Sequence, residues 1–221
     1  MKKSVILFSA LLLVFNCVVL AQDDTEEYER DVLEITLFGG VDSPTGKMLE
    51  WHDSLGAKVG YDFGFDIGYF VTEPLIAGIG FRFSEYGIDA TEEDSAAEKL
   101  KHRSYNPNLY LKYYLRPTSN WSPYVKANVG MTFLKFTTLV HNDYGDRYRQ
   151  IAYDPALSFG IGGGLFLYTA DYGGFFVEGN YHVISSDGVE AEYEGSTYEF
   201  GDNLAAFDIR AGVRILIGPG D

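Results

Sequence analysis

One cysteine, Cys17, occurs in 221 residues, so no disulfide within the chain can hold a fold together. Proline is scarce, with seven residues, and basic residues are outnumbered, 17 against 32 acids, for a formal net charge of -15. That balance excludes a nucleic-acid partner on electrostatic grounds. Past the first twenty-odd residues no apolar run reaches the ~18 residues that a membrane-spanning helix needs. What remains must be held by burial and backbone pairing. The material for that is ample: 46% hydrophobic residues, 17 Tyr, 16 Phe and 25 Gly.

The N-terminal segment reads as an export signal and not as part of the fold. Lys2 and Lys3 precede an almost wholly apolar stretch from Val5 to Leu20, and Val19-Leu20-Ala21 ends it on a small residue suited to cleavage. Residues 1–21 are therefore assigned to a signal peptide, 22–31 to an acidic leader, 32–217 to the folded domain and 218–221 to a short tail. A lipid-modified Cys17 is the competing reading, but Phe15 and Asn16 are not the small residues expected before such a cysteine.

From Ala57 onward the chain alternates with a period of two. Val59, Tyr61, Phe63, Phe65, Ile67 and Tyr69 are apolar, while Lys58, Gly60, Asp62, Gly64, Asp66 and Gly68 lie between them. A strand puts such sets on opposite faces, and a helix cannot. The same parity, odd positions apolar, recurs around Leu33–Leu37, Leu75–Phe83, Leu109–Leu115, Val125–Phe133, Leu157–Leu167, Phe175–Val183 and Phe207–Ile217. Eight antiparallel strands of roughly ten residues fit an all-β transmembrane barrel with its apolar face outward. A soluble sandwich or lipocalin-like barrel is the alternative. Its strands average about five or six residues, and a solvent face has no use for Gly78, Gly80, Gly160, Gly162 and Gly164. The inside of a narrow barrel needs such small residues for bends and for opposing side chains.

The links alternate in length. Thr72-Glu73-Pro74, Pro117–Ser122 and Ala170–Gly174 are tight turns, whereas Val41–Leu55, Glu85–Ser104, Thr137–Asp154 and Ser185–Asn203 are long. Short periplasmic turns and long extracellular loops are the outer-membrane arrangement. The last long link carries six acids and no lysine or arginine. Its Glu190, Glu192, Glu194 and Glu199 suggest weak Ca²⁺ binding, but a solvated acidic loop is the favoured reading.

Eight strands leave an interior about wide enough for their own side chains. The even positions place Glu34, Lys58, Asp62, Asp66, Arg82, Lys112, Arg116, Lys126, Glu178, Asp208, Arg210 and Arg214 there. Buried charges must pair or be hydrated, so an ion-pair plug is expected, with a narrow channel as the alternative. No catalytic constellation, cofactor site or metal site is assigned. His52, His102 and His141 fall in the long links, and His182 lies on the polar face beside Asn180. The run Ile161–Gly164 is glycine-rich but opens no helix, which argues against phosphate binding.

The strand set resembles the small eight-stranded outer-membrane barrels of the outer-membrane protein A and X types and the opacity-protein group. The resemblance runs from Val32 to Ile217 and includes Gly78-Ile79-Gly80-Phe81-Arg82-Phe83 and Pro123-Tyr124-Val125-Lys126-Ala127-Asn128-Val129-Gly130. Arg210, Gly212, Ile215 and Ile217 match the assembly signal in the final strand of such barrels; the family usually ends on an aromatic residue, whereas here Gly218-Pro219-Gly220-Asp221 follows. The resemblance implies a bacterial outer-membrane location, contact with membrane lipid and lipopolysaccharide, and handling by periplasmic chaperones and the barrel-assembly machinery. Enzymes exist on such barrels, but the loop placement of three of the four histidines leads to the expectation that this chain is not one. The role expected is structural or surface-interacting, through an extracellular ligand held by the acidic loops, with Trp51, Tyr144, Tyr148, Tyr153, Tyr193 and Tyr198 as contacts. A narrow channel or transporter for small or hydrophobic solutes is second, and a lipid A-modifying enzyme or protease third.

Overall fold

The alternation builds an antiparallel barrel in which the faces are inverted relative to a soluble protein. The computed structural model describes residues 32–45, 57–87, 101–116, 121–142, 145–152, 154–170, 172–185, 189–193, 196–200 and 204–218. The export segment, the acidic leader, residues 219–221, Trp51, Tyr144 and Tyr153 lie outside them. The strands are β1 (Leu33–Thr45), β2 (Gly60–Thr72), β3 (Leu75–Tyr86), β4 (Lys101–Tyr114), β5 (Trp121–Asn142), β6 (Gly145–Ala152), β7 (Ala156–Ala170), β8 (Gly173–Ser185), β9 (Val189–Tyr193), β10 (Ser196–Phe200) and β11 (Leu204–Ile217).

Among the described residues, eight of these close a ring. Neighbours run β4-β3-β2-β1-β11-β8-β7-β5, and β4 pairs with β5 to seal it. The first and last strands pair along their whole length, from Leu33 opposite Ile217 to Thr45 opposite Ala205. Closure removes the edges of this eight-strand ring, so backbone groups within it find partners without a covering layer. Register slips occur between Phe70 and Thr72 and between Tyr168 and Ala170, both beside short turns.

Burial follows parity. Phe63 and Ile161 are 51% and 66% exposed, while Asp62 and Asp66 are 2% and 3% exposed. Since a one-residue slip would exchange the two faces, this fixes the register: apolar odd positions face outward and polar even positions face the lumen.

The long links contain more strand than the sequence suggested. Beyond its pairing with β7, β5 continues to Asn142 and forms a hairpin with β6. The β9–β10 pair lies in the last long link, and β4 begins at Lys101 within the second. The apolar alternation no longer marks these segments in the sequence, but backbone pairing continues through them.

Candidate functional site

Side chains from even positions point into the lumen, where they are buried, and three regions follow one another along its axis. At the short-turn end, Phe38, Ile76, Tyr110, Tyr114, Tyr124, Phe166 and Phe176 form a buried cluster, with Phe70 and Tyr168 packed against it. The Tyr114 and Tyr124 rings lie 5.4 Å apart, and Phe166 meets Tyr168 edge-on at 4.5 Å. Glu34 is wholly buried beside this layer. It pairs with Lys112, accepts a hydrogen bond from Tyr114 Oη at 3.0 Å and lies 2.7 Å from Arg214 Nε. The Arg214 guanidinium stacks over Phe166 at 4.3 Å and Tyr114 at 4.6 Å. Cation and ring satisfy each other where water is excluded.

In the middle, Lys126 pairs with Asp66, and Arg210 pairs with Glu178. Arg210 also covers the Phe38 ring at 4.2 Å, and Lys126 Nζ lies 4.6 Å from the Tyr110 ring centroid. Toward the end with the long links, Arg82 Nη1 donates to Asp208 Oδ2 at 3.0 Å and lies 3.9 Å from Asp42 Oδ2. Tyr86 Oη donates to Asp42 Oδ2 at 2.6 Å, and Asn180 Nδ2 donates to Asp208 Oδ1 at 2.8 Å. His182 Nε2 lies 2.7 Å from Asp208 Oδ2. A separate uncharged set joins three strands: Asn106 Nδ2 donates to Thr132 Oγ1 at 2.8 Å and to Ser158 Oγ at 2.7 Å.

Glycines make room for this filling. A Cβ on Gly160 would lie 2.5 Å from both Asn128 Nδ2 and His182 Nδ1. A Cβ on Gly40 would lie 2.7 Å from Asp62 Oδ1 and from Arg210 Cβ.

Of the charged residues expected in the lumen, Glu34, Asp62, Asp66, Arg82, Lys112, Lys126, Glu178, Asp208, Arg210 and Arg214 are buried. Lys58 and Arg116 are not. Lys58 precedes β2 and Arg116 follows β4, so the alternation no longer fixes the direction of either side chain. Arg116 instead lies over the Trp121 ring at 5.0 Å. Asp62 is inside but unpaired: neither carboxylate oxygen has a hydrogen-bond partner. Arg210, Gly212, Ile215 and Ile217 all fall in β11, with Ile215 and Ile217 half exposed on the outer face. Tyr148, Tyr193 and Tyr198 belong to β6, β9 and β10.

Sequence reasoning missed Asp42 and His102, which it placed in long links, and the apolar members of the buried layer, Phe38, Ile76, Phe166 and Phe176. All are buried. Each occupies an even position: extending the parity past the apparent strand ends would have found Asp42 and His102, and counting apolar residues at even positions would have found the others.

No family model matches this sequence, and no curated protein matches it. Among solved structures, the barrel is similar to Neisserial surface protein A with a TM-score of 0.55 at 12% identity, covering 83% of this chain and 96% of that one. The outer membrane protein OprG from Pseudomonas aeruginosa gives 0.48 at 12% identity over 89% of this chain and all of that one. The N-terminal β-barrel domain of Pseudomonas aeruginosa OprF gives 0.40 at 18% identity, covering 85% and 98%. The first of these likenesses, together with the closed eight-strand ring and its outward apolar face, shows the fold: a small antiparallel β-barrel of the outer-membrane type.

Proposed function

We propose that this chain is a plugged outer-membrane barrel that serves as a rigid scaffold for surface interaction, without enzyme activity. The short turns face the periplasm and the acidic, tyrosine-containing links face outward, where they contact an extracellular ligand. One observation carries the reading. Across the lumen lie an aromatic-rich layer and charges paired between strands, from Glu34 with Lys112 and Arg214 to Asp208 with Arg82, and these support a plug. Long side chains that span an eight-stranded interior leave little space for a water column. Location in the outer membrane is supported by the outward apolar face and the barrel type. A scaffold of this kind places its binding capacity in its links.

The test is electrical. The purified chain, refolded into a planar bilayer, is expected to show no steady single-channel current, and cells displaying it are expected to lose surface binding when residues 186–203 are shortened. A steady current through the unaltered barrel would overturn the plug. It would favour the second reading, a narrow channel or transporter for small solutes. That reading draws on a surplus of acid: among the described residues the lumen holds Glu34, Asp42, Asp62, Asp66, Glu178 and Asp208 against Arg82, Lys112, Lys126, Arg210 and Arg214.

A further inference from the structure

Among the described residues of the eight-strand ring, charged side chains interrupt the outward face in one place. Phe63, Phe83, Tyr105 and Phe133 form a cross-strand row on β2 to β5. Their rings touch in sequence, Phe63 to Phe83 at 4.9 Å and Phe83 to Tyr105 at 5.2 Å. The next outward-facing row toward the long links is Tyr61, Glu85, Arg103 and Lys135. Arg103 Nε donates to Glu85 Oε2 at 2.7 Å, and Lys101 Nζ donates to Glu85 Oε1 at 2.5 Å. Lys135 Nζ sits 5.3 Å from the Tyr105 ring centroid. Lys101 and Arg103 thus share one carboxylate, and Lys135 stands beside them with no carboxylate of its own among the described residues, in a chain whose net charge is -15.

Arg103 and Lys135 are direct partners across the β4–β5 ladder. Like charges so placed repel each other and destabilise a sheet unless an anion lies between them. The Lys101 and Arg103 side chains are 39% and 35% exposed, so an anion can reach them. Aromatic rows on membrane barrels lie at the boundary between hydrocarbon and headgroups. Two residues further along a strand tilted by about 40° is about 5 Å further out, toward the level of lipid phosphate. A guanidinium fork matches phosphate geometry, and an ammonium adds a point charge.

We propose that Arg103, Lys135 and Lys101 bind the phosphate of a phosphorylated lipid in the leaflet on the long-link side. The site rests on the membrane reading above. It makes one sector of the rim, on β3 to β5, a fixed lipid-binding position.

The test uses the full chain refolded into phosphatidylcholine vesicles that contain either lipid A or its dephosphorylated form. Protease protection of the strands reports insertion, and native mass spectrometry of the extracted barrel reports retained lipid. Wild type is expected to retain the phosphorylated form preferentially. A juxtamembrane cation is worth about fivefold in affinity, so the double variant R103Q/K135Q is expected to lose roughly 30-fold. R103K/K135R, which keeps both charges, is expected to retain most of the binding, and R116Q at the opposite rim is expected to change nothing. An inserted barrel that retains both lipids equally, or a double variant that binds as wild type does, overturns the site alone. So does displacement of the lipid by inorganic phosphate at low millimolar concentration, which would mark a free-anion site. A chain that fails to insert overturns the membrane reading and the site with it.

Discussion

Asp42 and Asp208 face each other across the β1–β11 ladder, both inside the barrel, and Arg82 from β3 reaches between them, 3.9 Å from one carboxylate and 3.0 Å from the other. Two opposed carboxylates in a closed lumen repel strongly, and the guanidinium turns that repulsion into a bridge across three strands. Arg82→Met is therefore expected to lower unfolding stability by about 3–5 kcal/mol, the usual loss when one partner of a buried pair is removed. Urea titration of the refolded barrel in vesicles measures it. Adding Asp42→Asn to Arg82→Met should recover part of the loss, and no recovery would mean that the two acids do not oppose each other.

Asp62 and Asp66 lie four residues apart on the same face of β2, yet their situations differ. Asp66 pairs with Lys126, while both oxygens of Asp62 lack a hydrogen-bond partner. A buried charge without a partner is costly, and Asn keeps the side-chain shape while removing that charge, so Asp62→Asn is expected to be neutral or stabilising. Asp66→Asn strands the Lys126 ammonium and is expected to destabilise. The comparison fails if the two substitutions lower the thermal midpoint equally.

Parity made most of this legible in the sequence, and chain closure hid the rest. The odd-even rule separated Phe63 from Asp62 and placed Glu178 and Arg210 inside, because a two-sided environment writes a two-residue period. It lost direction at Lys58 and Arg116, which stand past the strand ends. It also missed Phe38 and Phe166, since an apolar residue on the polar face looks like broken alternation. The pairs themselves were not readable. Arg82 and Asp208 are 126 residues apart and meet only because the barrel closes.

The outer face gives a direct check on which side meets lipid. Ile161 is 66% exposed, with Gly160 and Gly162 of the opposite parity on either side. Ile161→Arg is expected to cost about 2–4 kcal/mol in a bilayer, the range for arginine on a barrel's lipid face near the midplane. In detergent, where the micelle adapts around the charge, the loss should be smaller. Equal stability of the variant and wild type in vesicles would mean that Ile161 does not face hydrocarbon.

Glycine inside the barrel should be intolerant for steric reasons. A Cβ at Gly160 would lie 2.5 Å from the Asn128 and His182 side chains, so Gly160→Val is expected to reduce folding yield and stability by about 1–3 kcal/mol through overpacking. Gly163→Val is the control. It sits at an odd position, where a Cβ meets only the Tyr124 carbonyl oxygen, at 3.2 Å. Band shift on unheated gels separates folded from unfolded barrel and would reverse the argument if Gly163→Val were the worse of the two.

The sharpest expectation concerns Glu34, because two cations depend on it. Lys112 pairs with it, Arg214 Nε lies 2.7 Å away, and Tyr114 donates to it at 3.0 Å. Removing the carboxylate by Glu34→Leu leaves two buried cations with no anion between them at the short-turn end. Stacking of Arg214 on Phe166 and Tyr114 softens the loss but cannot neutralise charge. The expected cost is about 3–5 kcal/mol, against no measurable change for Glu192→Ala in the last long link. Glu34→Leu/Lys112→Met removes one cation along with the anion and should recover part of that stability. The repelled cations of the single variant should also loosen the aromatic layer, so a small bilayer current is expected from Glu34→Leu and none from wild type or the double variant. If Glu34→Leu stays silent and fully stable, the pairing around Glu34 does not hold the plug, and closure rests on the aromatic layer alone.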